Sequence, residues 1–397
     1  MTAFFIFIIY LAFISLGLPD SLLGTSWPLM RQDLGLQLGA AGIIAFMTSM
    51  GTIISSLMSG RLVQRFGTGK IVFVSCLMTA AALLGFSRAN SFEWLILCGI
   101  PLGLGGGAVD AVLNHYVAEY YEAHHMSWLH ACWGIGATVG PLIMSYFIAS
   151  QQSWRMGYAT VSKIQFVLVV VLLCALPFWK KVAEKRRHSQ SEGEMIQNET
   201  GPSAEKSILH IPGVPSTLLT FMFYCGGEIM VGLWGASYLV TVRGIASEQA
   251  AGWISLYYLG ITLGRIASGF ITVRIDNRHL ILYGQIFAVA GVLLILIPFS
   301  TVLIPIGLVM IGVGFAPVFP GLIYLTPRRF GSSNSARLIG YQMATAYAGN
   351  TFLPLIFGAA ATFLGIGLFP FILLIFILTM IAASENIVRK LGDSQKR

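Results

Sequence analysis

The sequence predicts an all-α membrane protein with twelve transmembrane helices arranged as two pseudo-symmetric six-helix bundles. Of the 397 residues, 56% are hydrophobic and only 10% are charged, whereas soluble domains carry about 25% charged residues. A helix needs roughly 20 apolar residues to cross a bilayer. The chain supplies twelve such runs, and the second six repeat the register of the first six.

The apolar runs follow one another with short polar connections. In chain order they cover residues 4–25, 38–59, 70–88, 94–118, 128–149, 160–179, 214–240, 249–270, 279–299, 302–324, 338–363 and 366–384. The first run has no basic start and continues into Pro19 and Asp20, so we interpret it as a retained helix with a kink at Pro19.

One long polar stretch separates the sixth run from the seventh. It is rich in Lys, Arg, Glu, Ser and Gln, and such a composition cannot bury a core. We therefore predict a first bundle at 1–180, a cytoplasmic linker at 181–212, and a second bundle with a short cytoplasmic tail at 213–397.

The two halves match at a nearly constant offset along the chain. Matching pairs are Gly51 and Gly260, Arg65 and Arg274, Gly103 and Gly312, Gly140 and Gly349, and Asp20 and Glu228. Small residues are common at helix contacts in membranes, so a single glycine match means little, whereas the shared register indicates a repeat. Repeats of this kind predict a solute path between the halves near the midplane.

The basic residues are distributed by side rather than clustered. If the N-terminus is cytoplasmic, most of the 24 Lys and Arg residues fall on the cytoplasmic side, which predicts that both termini are cytoplasmic. We expect a multi-pass protein of the cell membrane (inner or plasma membrane), surrounded by lipid, and the net charge of +8 then indicates no nucleic-acid partner. The five cysteines lie singly in apolar runs, which indicates neither disulfides nor a metal site.

Three acidic residues, Asp20, Asp110 and Glu228, interrupt the apolar runs. A carboxylate in hydrocarbon is costly, and chains that keep one use it for ion or substrate traffic. Burial disfavours the charged form of a carboxylate, so we predict proton-coupling roles for all three. The alternatives are a structural hydrogen bond for Asp110, a pairing within the bundle for Glu228, and a helix cap for Asp20.

Polar and aromatic side chains in the runs suit a neutral, polyhydroxylated solute, because sugars are bound by amide and imidazole groups and by aromatic rings. The candidate binding residues are Asn114, His130, Trp133, Trp234, Gln342, Tyr347 and Asn350. For each one, ordinary helix packing is the competing interpretation. No unpaired Arg or Lys is expected at the midplane, which favours a neutral solute over an anion. Asn114 follows Asp110 by four residues, so the two share a helix face.

Arg61, Arg65 and Arg265 are predicted at cytoplasmic helix ends. Arginines there either extend to lipid headgroups or help to close an inward gate, and we name these three as gating candidates.

The segment from Gly60 to Lys70, GRLVQRFGTGK, resembles the loop signature of the major facilitator superfamily, G-x-x-x-D-R-x-G-x-K-K. Gln64 stands where the family prefers Asp, which puts the usual charge contact of this loop in question. A degenerate copy, Gly269 to Arg274, follows the eighth run.

Other motifs resemble the narrower fucose–galactose–proton symporter family. They are Tyr224-Cys225-Gly226-Gly227-Glu228, His130-x-x-Trp133-Gly134, Gly260-x-x-x-Gly264-Arg265 and Gly314-x-Ala316-Pro317. The resemblance implies a monomeric, cofactor-free sugar symporter that works by alternating access. It also implies a proton site on an acidic residue of the fourth helix, which Asp110 matches.

Several other functions stay open. A proton-coupled drug or metabolite antiporter would share the fold, but Gly140-Pro141 is followed by Leu142-Ile143-Met144 rather than by the paired glycines of exporters. Sodium could replace the proton, because carboxylates bind both. A nutrient sensor would need a signalling domain, and an intramembrane enzyme would need a catalytic constellation, and neither is evident.

Overall fold

The computed structural model describes residues 2–120, 123–151, 153–190, 208–272, 274–298 and 300–394. Within these ranges the regular elements are all helical. They are α1 Thr2–Asp20, α2 Leu22–Asp33, α3 Ala40–Phe66, α4 Thr68–Ser87, α5 Phe92–Tyr120, α6 Ala123–Gln151, α7 Trp154–Gln190, α8 Val214–Arg243, α9 Ser247–Ile271, α10 Asn277–Leu296, α11 Leu303–Phe315, α12 Val318–Phe330, α13 Ser332–Leu364 and α14 Phe369–Ser394, with short 3₁₀ helices at Ile208–His210 and Ile366–Leu368.

The described ranges contain 12 spans that are long and apolar enough to cross a membrane, which confirms the predicted number. Helices satisfy their own backbone hydrogen bonds, as a chain in hydrocarbon must. Two spans are each made of two helices: α1 and α2 form the first, and α11 and α12 form the tenth. The helix α7 continues to Gln190, inside the stretch predicted as a linker, and residues 191–207 lie outside the described residues.

The helices form two bundles. In the first half α3 and α4 pack on α5, α1 packs on α6, and α4 packs on α7; in the second half α8 packs on α13 and α14, and α11 packs on α9 and α10. Among the described residues the halves meet mainly through four further helix pairs, α2 with α8, α2 with α9, α6 with α9, and α3 with α13. The interface between the halves is therefore formed by α2, α3, α6, α8, α9 and α13.

The halves are closed against each other at one end of the molecule. The connections 34–39, 88–91 and 244–246 lie at one end, which we call the far end. Thr2 and Ser394 lie at the opposite end, which we call the terminal end. Three hydrogen bonds join the halves toward the far end. Gly39 N donates to Thr362 Oγ1 at 3.0 Å, Ser145 Oγ donates to the carbonyl of Glu248 at 2.6 Å, and Ser255 Oγ donates to the carbonyl of Thr138 at 2.9 Å.

The buried core divides toward the terminal end. The largest cluster of buried apolar side chains includes residues of both halves, such as Trp27, Trp154 and Trp234. A second cluster, around Val72 and Trp179, belongs to the first half alone, and a third, around Val214 and Ile387, belongs to the second half alone. The two halves therefore pack as one body at the far end and separate toward the terminal end, where Gln64 and Arg274 are exposed.

Candidate functional site

The break between α1 and α2 sets the position of Asp20. Pro19 has no backbone N–H, so the carbonyl of Ser15, four residues earlier, loses its helical partner. Gln165 on α7 supplies a replacement, because its Nε2 donates to that carbonyl at 2.8 Å. The sequence predicted a kink at Pro19, and the helix is interrupted two residues later, since α1 ends at Asp20 and α2 begins at Leu22.

A second proline fixes the other side of the break. Pro141 on α6 leaves the carbonyl of Ala137 without its helical donor, and the hydroxyl of Ser21 donates to that carbonyl at 3.1 Å. Gly17 lies directly against the backbone of Trp133, where a Cβ atom would have no room. The first span and α6 are therefore in backbone contact beside Asp20.

This close packing brings Asp20 to Trp133. The indole Nε1 donates to Asp20 Oδ2 at 2.7 Å. Asp20 is exposed rather than buried in protein, so its carboxylate faces the space between the halves. The residue before α2 is Ser21, and the described contact of the Asp20 side chain is to α6, so the geometry does not match the helix-cap alternative.

Trp133 also reaches across to the second half. The guanidinium of Arg265 on α9 lies 5.2 Å from the centre of its ring system, within the range of a cation–π contact. The ring of Tyr258, also on α9, meets it edge-on at 6.3 Å. Trp133 therefore contacts an acid of its own half and a cation of the other half.

Arg265 differs in position from the sequence-based expectation. We expected it at a helix end, but α9 continues to Ile271, and the guanidinium turns inward to Glu228. Its Nη2 lies 3.2 Å from Glu228 Oε1, and the two side chains are only 18% and 12% exposed. The same nitrogen donates to the hydroxyl of Tyr224 at 3.4 Å. The pairing of Glu228 within the bundle, weighed as an alternative above, is therefore what the structure contains.

Asp110 and Asn114 lie together on α5, as their spacing predicted. Asn114 Nδ2 donates to Asp110 Oδ1 at 2.9 Å and to the Asp110 carbonyl at 3.0 Å. Tyr347 of the second half lies beside Ser56 and close enough to Asp110 to interact with it electrostatically. A residue of each half therefore faces this carboxylate.

Asp20 connects the three acids electrostatically. Asp20 interacts electrostatically with both Asp110 and Glu228. Arg265 compensates Glu228, whereas the described hydrogen-bond donors to Asp20 and Asp110 are the neutral N–H groups of Trp133 and Asn114. A site with this excess of carboxylates can bind protons or another cation.

His130 lies on the same helix as Trp133, one turn nearer the terminal end. Its ring meets Phe13 edge-on at 5.9 Å, and it lies within electrostatic range of Arg265. His130 therefore lies near the contact of α6 with the second half, and its role as a binding residue stays a prediction.

Two predicted binding residues lie in helix packing. Trp234 is fully buried, and its Nε1 donates to the carbonyl of Pro354 at 3.0 Å. Gln342 is also fully buried and donates to Thr326 Oγ1 of α12 at 2.9 Å. The side chains of both residues are already in contact with protein, so the structure does not bring either into the central space.

Asn350 and Tyr347 lie on neighbouring turns of α13. The amide oxygen of Asn350 is buried, and among the described residues it has no hydrogen-bond partner. Arg61 and Arg65 are both exposed at the terminal end of α3, where Arg65 lies over the ring of Phe66 at 5.4 Å. Among the described contacts, no ion pair or hydrogen bond joins these two arginines to Asp20, Asp110 or Glu228.

Sequence reasoning missed three tyrosines around Glu228 and Arg265. Tyr257 OH donates to the carbonyl of Glu228 at 3.2 Å, Tyr224 bonds Arg265, and Tyr258 contacts Trp133. The spacing could have revealed part of this, because Tyr224 and Glu228 are one turn apart and Tyr258 and Arg265 are two turns apart on one face. Which way that face points is decided by packing between helices.

Comparison with known proteins supplies the family. Residues 9–354 match the family model described as Major Facilitator Superfamily. Over 388 residues the chain is 23% identical to Bypass of stop codon protein 6 of Saccharomyces cerevisiae, covering 90% of this chain and 77% of that protein. It is 26% identical over 277 residues to the Hexuronate transporter of Bacillus subtilis, covering 67% of this chain and 64% of that protein.

A solved structure agrees with this fold. The inward-open xylose transporter XylE from E. coli superposes with a TM-score of 0.75 at 12% identity, covering 98% of this chain and 96% of that one. With twelve spans, two bundles and a family model that matches most of its length, the chain is a multi-pass membrane protein that belongs to the Major Facilitator Superfamily.

Proposed function

We propose that the protein is a secondary active transporter that couples the uptake of a sugar or similar polyhydroxylated solute to protons by alternating access. The observation that carries the proposal is that Asp20 lies within electrostatic range of Asp110 and Glu228, whereas the Arg265 guanidinium pairs with Glu228 alone among the three. Two of these carboxylates have neutral partners, and a proton-coupled carrier needs such groups. Symport in the manner of the fucose–galactose–proton symporter family is the narrower form of this proposal.

In the proposed cycle Asp110 and Asp20 bind protons from the far end, and the solute then binds between the halves. Closure of the far end, as in this structure, opens the site toward the terminal end. The protons and the solute are then released at the terminal end. We assign the terminal end to the cytoplasm of the cell membrane, because the basic residues concentrate on that side. We further propose that the carrier is a monomer and that the linker after α7 divides the chain into its two halves.

Aromatic and amide groups support a sugar. Trp133 offers a ring, and His130, Tyr347, Asn114 and Asn350 offer hydrogen-bonding groups around the acids. Such groups orient a small polar ligand in a pocket with few charges. Arg61 and Arg65 lie at the exposed end that must close when the far end opens, so we keep them as proposed gating residues, and Arg265 joins the central site instead.

An acidic sugar is the second candidate. Arg265 faces the central space, and a guanidinium binds a carboxylate in a two-point contact. A solute carboxylate would then take the place of Glu228. The Hexuronate transporter of Bacillus subtilis is a relative with 26% identity, which supports including hexuronates among the solutes tested.

The experiment is proton flux into proteoliposomes that carry the purified protein and a pH dye inside. Hexoses, pentoses, deoxyhexoses and hexuronates are added outside one at a time. We expect one class of sugar to acidify the lumen, and we expect Asp110→Asn to abolish the acidification. Glu93→Gln, at the exposed start of the same helix, is the matched control and should behave as wild type.

Three outcomes would change the proposal. Sugar-driven acidification that persists in Asp110→Asn would remove Asp110 as the proton site. Uptake that follows a sodium gradient and leaves the dye unchanged would replace the proton by sodium. Alkalinisation with lipophilic cations and no response to sugars would favour the drug antiporter.

A further inference from the structure

Trp133 is placed to connect the charge of Asp20 with the opposite half of the molecule. Its indole N–H donates to Asp20 Oδ2 at 2.7 Å within the first half. Its ring lies 5.2 Å from the guanidinium of Arg265 and 6.3 Å from the ring of Tyr258, both in the second half. One rigid side chain therefore makes a hydrogen bond to one half and ring contacts to the other.

The position of this contact along the helices matters. Nearer the far end α6 and α9 are joined in order by Gly134 against Thr262, Thr138 with Ser255, and Ser145 with Glu248. Trp133 is the next residue of this seam toward the terminal end, where the shared core divides. It lies at the edge of the closed interface, where the halves must pivot when the far end opens.

A charged carboxylate holds an N–H donor more strongly than a neutral carboxyl group does. While Asp20 is charged, its hydrogen bond fixes the indole in the plane that Arg265 faces. When Asp20 gains a proton, that hydrogen bond weakens and the indole is free to turn. The groups that face Asp20 are Trp133 on α6, Asp110 on α5, Glu228 on α8 and Tyr258 on α9.

We propose that Trp133 is a positioning residue that transmits the protonation of Asp20 to the second half through Arg265. A charged Asp20 then stabilises the closed far end seen here, and a proton on Asp20 favours opening of that end. In the proposed cycle the bound solute therefore has to drive closure of the far end while Asp20 is protonated. The inference deepens the proposed function and rests on it, because it assumes that the central acids take up protons.

The test measures opening of the terminal end as a function of pH, without any solute. Spin labels replace Gln64 on α3 and Arg274 beyond α9, both exposed, after the five native cysteines have been replaced. Pulsed electron resonance then gives the distance between the labels in liposomes from pH 5 to pH 8. In the wild type we expect the longer distance at high pH and a shift toward the shorter one at low pH.

Trp133→Phe keeps an aromatic ring and loses the N–H donor, so we expect the distance to become independent of pH. Asp20→Asn should show the low-pH distance throughout. The matched control is Trp154→Phe, because Trp154 also donates its indole N–H to a carboxylate, Asp33 Oδ2 at 3.0 Å, but within one half. It should keep the wild-type pH response.

The proposal would be overturned if the label distance in Trp133→Phe still changed with pH as in the wild type. It would also be overturned if Trp154→Phe lost its pH dependence to the same extent as Trp133→Phe. If Trp133→Phe does not fold, Arg265→Lys carries the test, since it keeps the cation but loses the planar group over the ring. Its pH response should be smaller than that of the wild type, and an unchanged response would overturn the proposal. Failure of this inference can be distinguished from failure of the proposed function. The proposed function fails if no sugar acidifies the proteoliposomes, whereas the distance between the spin labels is measured without any sugar.

Discussion

The hydroxyl of Ser21 donates to the carbonyl of Ala137, 3.1 Å away, across the contact between the first span and α6. That carbonyl is available because Pro141 has no N–H to give it. On the other side of the same break, Gln165 Nε2 donates to the carbonyl of Ser15, which has no helical donor because of Pro19. Two prolines and two polar side chains thus hold the helix break that presents Asp20.

The first prediction concerns this support. Gln165→Leu should lower the free energy of unfolding by about 1–3 kcal/mol, because it leaves the carbonyl of Ser15 buried without a donor. The hydroxyl of Thr79, which can donate to Gln165 Oε1 or to the carbonyl of Cys76, both at 2.9 Å, keeps only the carbonyl as an acceptor. Thermal unfolding in detergent measures the change.

The control for that prediction is Ser150→Ala. Ser150 donates to the carbonyl of Tyr146 on its own helix, at an exposed position, so its removal should leave the melting temperature nearly unchanged. An equal melting temperature for Gln165→Leu and wild type would show that the bridge to Ser15 does not stabilise the break.

The second prediction concerns the ion pair of Glu228 and Arg265, whose atoms lie 3.2 Å apart. Either single change, Glu228→Gln or Arg265→Gln, leaves a buried charge without its counter-charge and should cost about 3–5 kcal/mol of stability. The double variant should be less destabilised than the sum of the two, because it removes both charges.

Unfolding of the wild type, the two single variants and the double variant in one detergent gives the coupling energy. The exposed pair of Arg278 and Glu385, also 3.2 Å apart but about 40% exposed, is the matched control and should show a coupling of about 0–1 kcal/mol. Strictly additive effects at Glu228 and Arg265 would mean that the central pair does not act as a unit.

The third prediction concerns closure of the far end. A Cβ atom on Gly24 would meet the backbone of Gly232 across the two halves. Gly24→Leu should therefore push α2 and α8 apart and favour the state in which the far end is open. Spin labels at the exposed positions Gln37 and Gln249 should move apart by several ångströms.

Gly60→Leu is the control for this change, because a Cβ atom at Gly60 has nothing within 4 Å. It should leave the distance between Gln37 and Gln249 as in the wild type. If Gly24→Leu also leaves it unchanged, the contact between α2 and α8 does not set the conformation.

The fourth prediction separates packing from binding, once a solute is identified. Tyr347→Phe should raise the KM for that solute about tenfold, the effect of losing one hydrogen bond of about 1.4 kcal/mol. Trp234→Phe and Gln342→Leu should lower the melting temperature and leave KM within about twofold, because both side chains are packed against α12 or α13. Initial uptake rates in proteoliposomes give KM, and a change of KM in Trp234→Phe alone would reverse the assignment.

Much of the fold was predictable because it depends on local composition. The length and apolar content of a run are enough to identify a span, and the break at Pro19 follows from a missing N–H. The shared helix face of Asp110 and Asn114 follows from their spacing, and the hydrogen bond between them at 2.9 Å agrees with it.

The partners of each side chain were not predictable in the same way. Arg265 looked like a residue of a helix end, yet α9 continues to Ile271 and packs on α8, and the Arg265 guanidinium lies beside Glu228. Trp234 looked like a binding residue, yet it fills the contact between α8 and α13. In both cases contacts between helices decided the outcome, and the periodicity within a single span does not contain that information.

The sequence by itself determined that this protein has twelve membrane spans in two related halves and that three acids lie within them. Polar groups are costly in hydrocarbon, so spans are apolar and can be identified from composition alone. The tertiary structure decided that Asp20 lies within electrostatic range of the other two acids, that Arg265 pairs with Glu228 alone among the three, and that the halves close at the far end. These features depend on contacts between residues distant in the chain, such as Asp20 with Trp133 and Gly24 with Gly232, and such contacts exist only once the helices have packed.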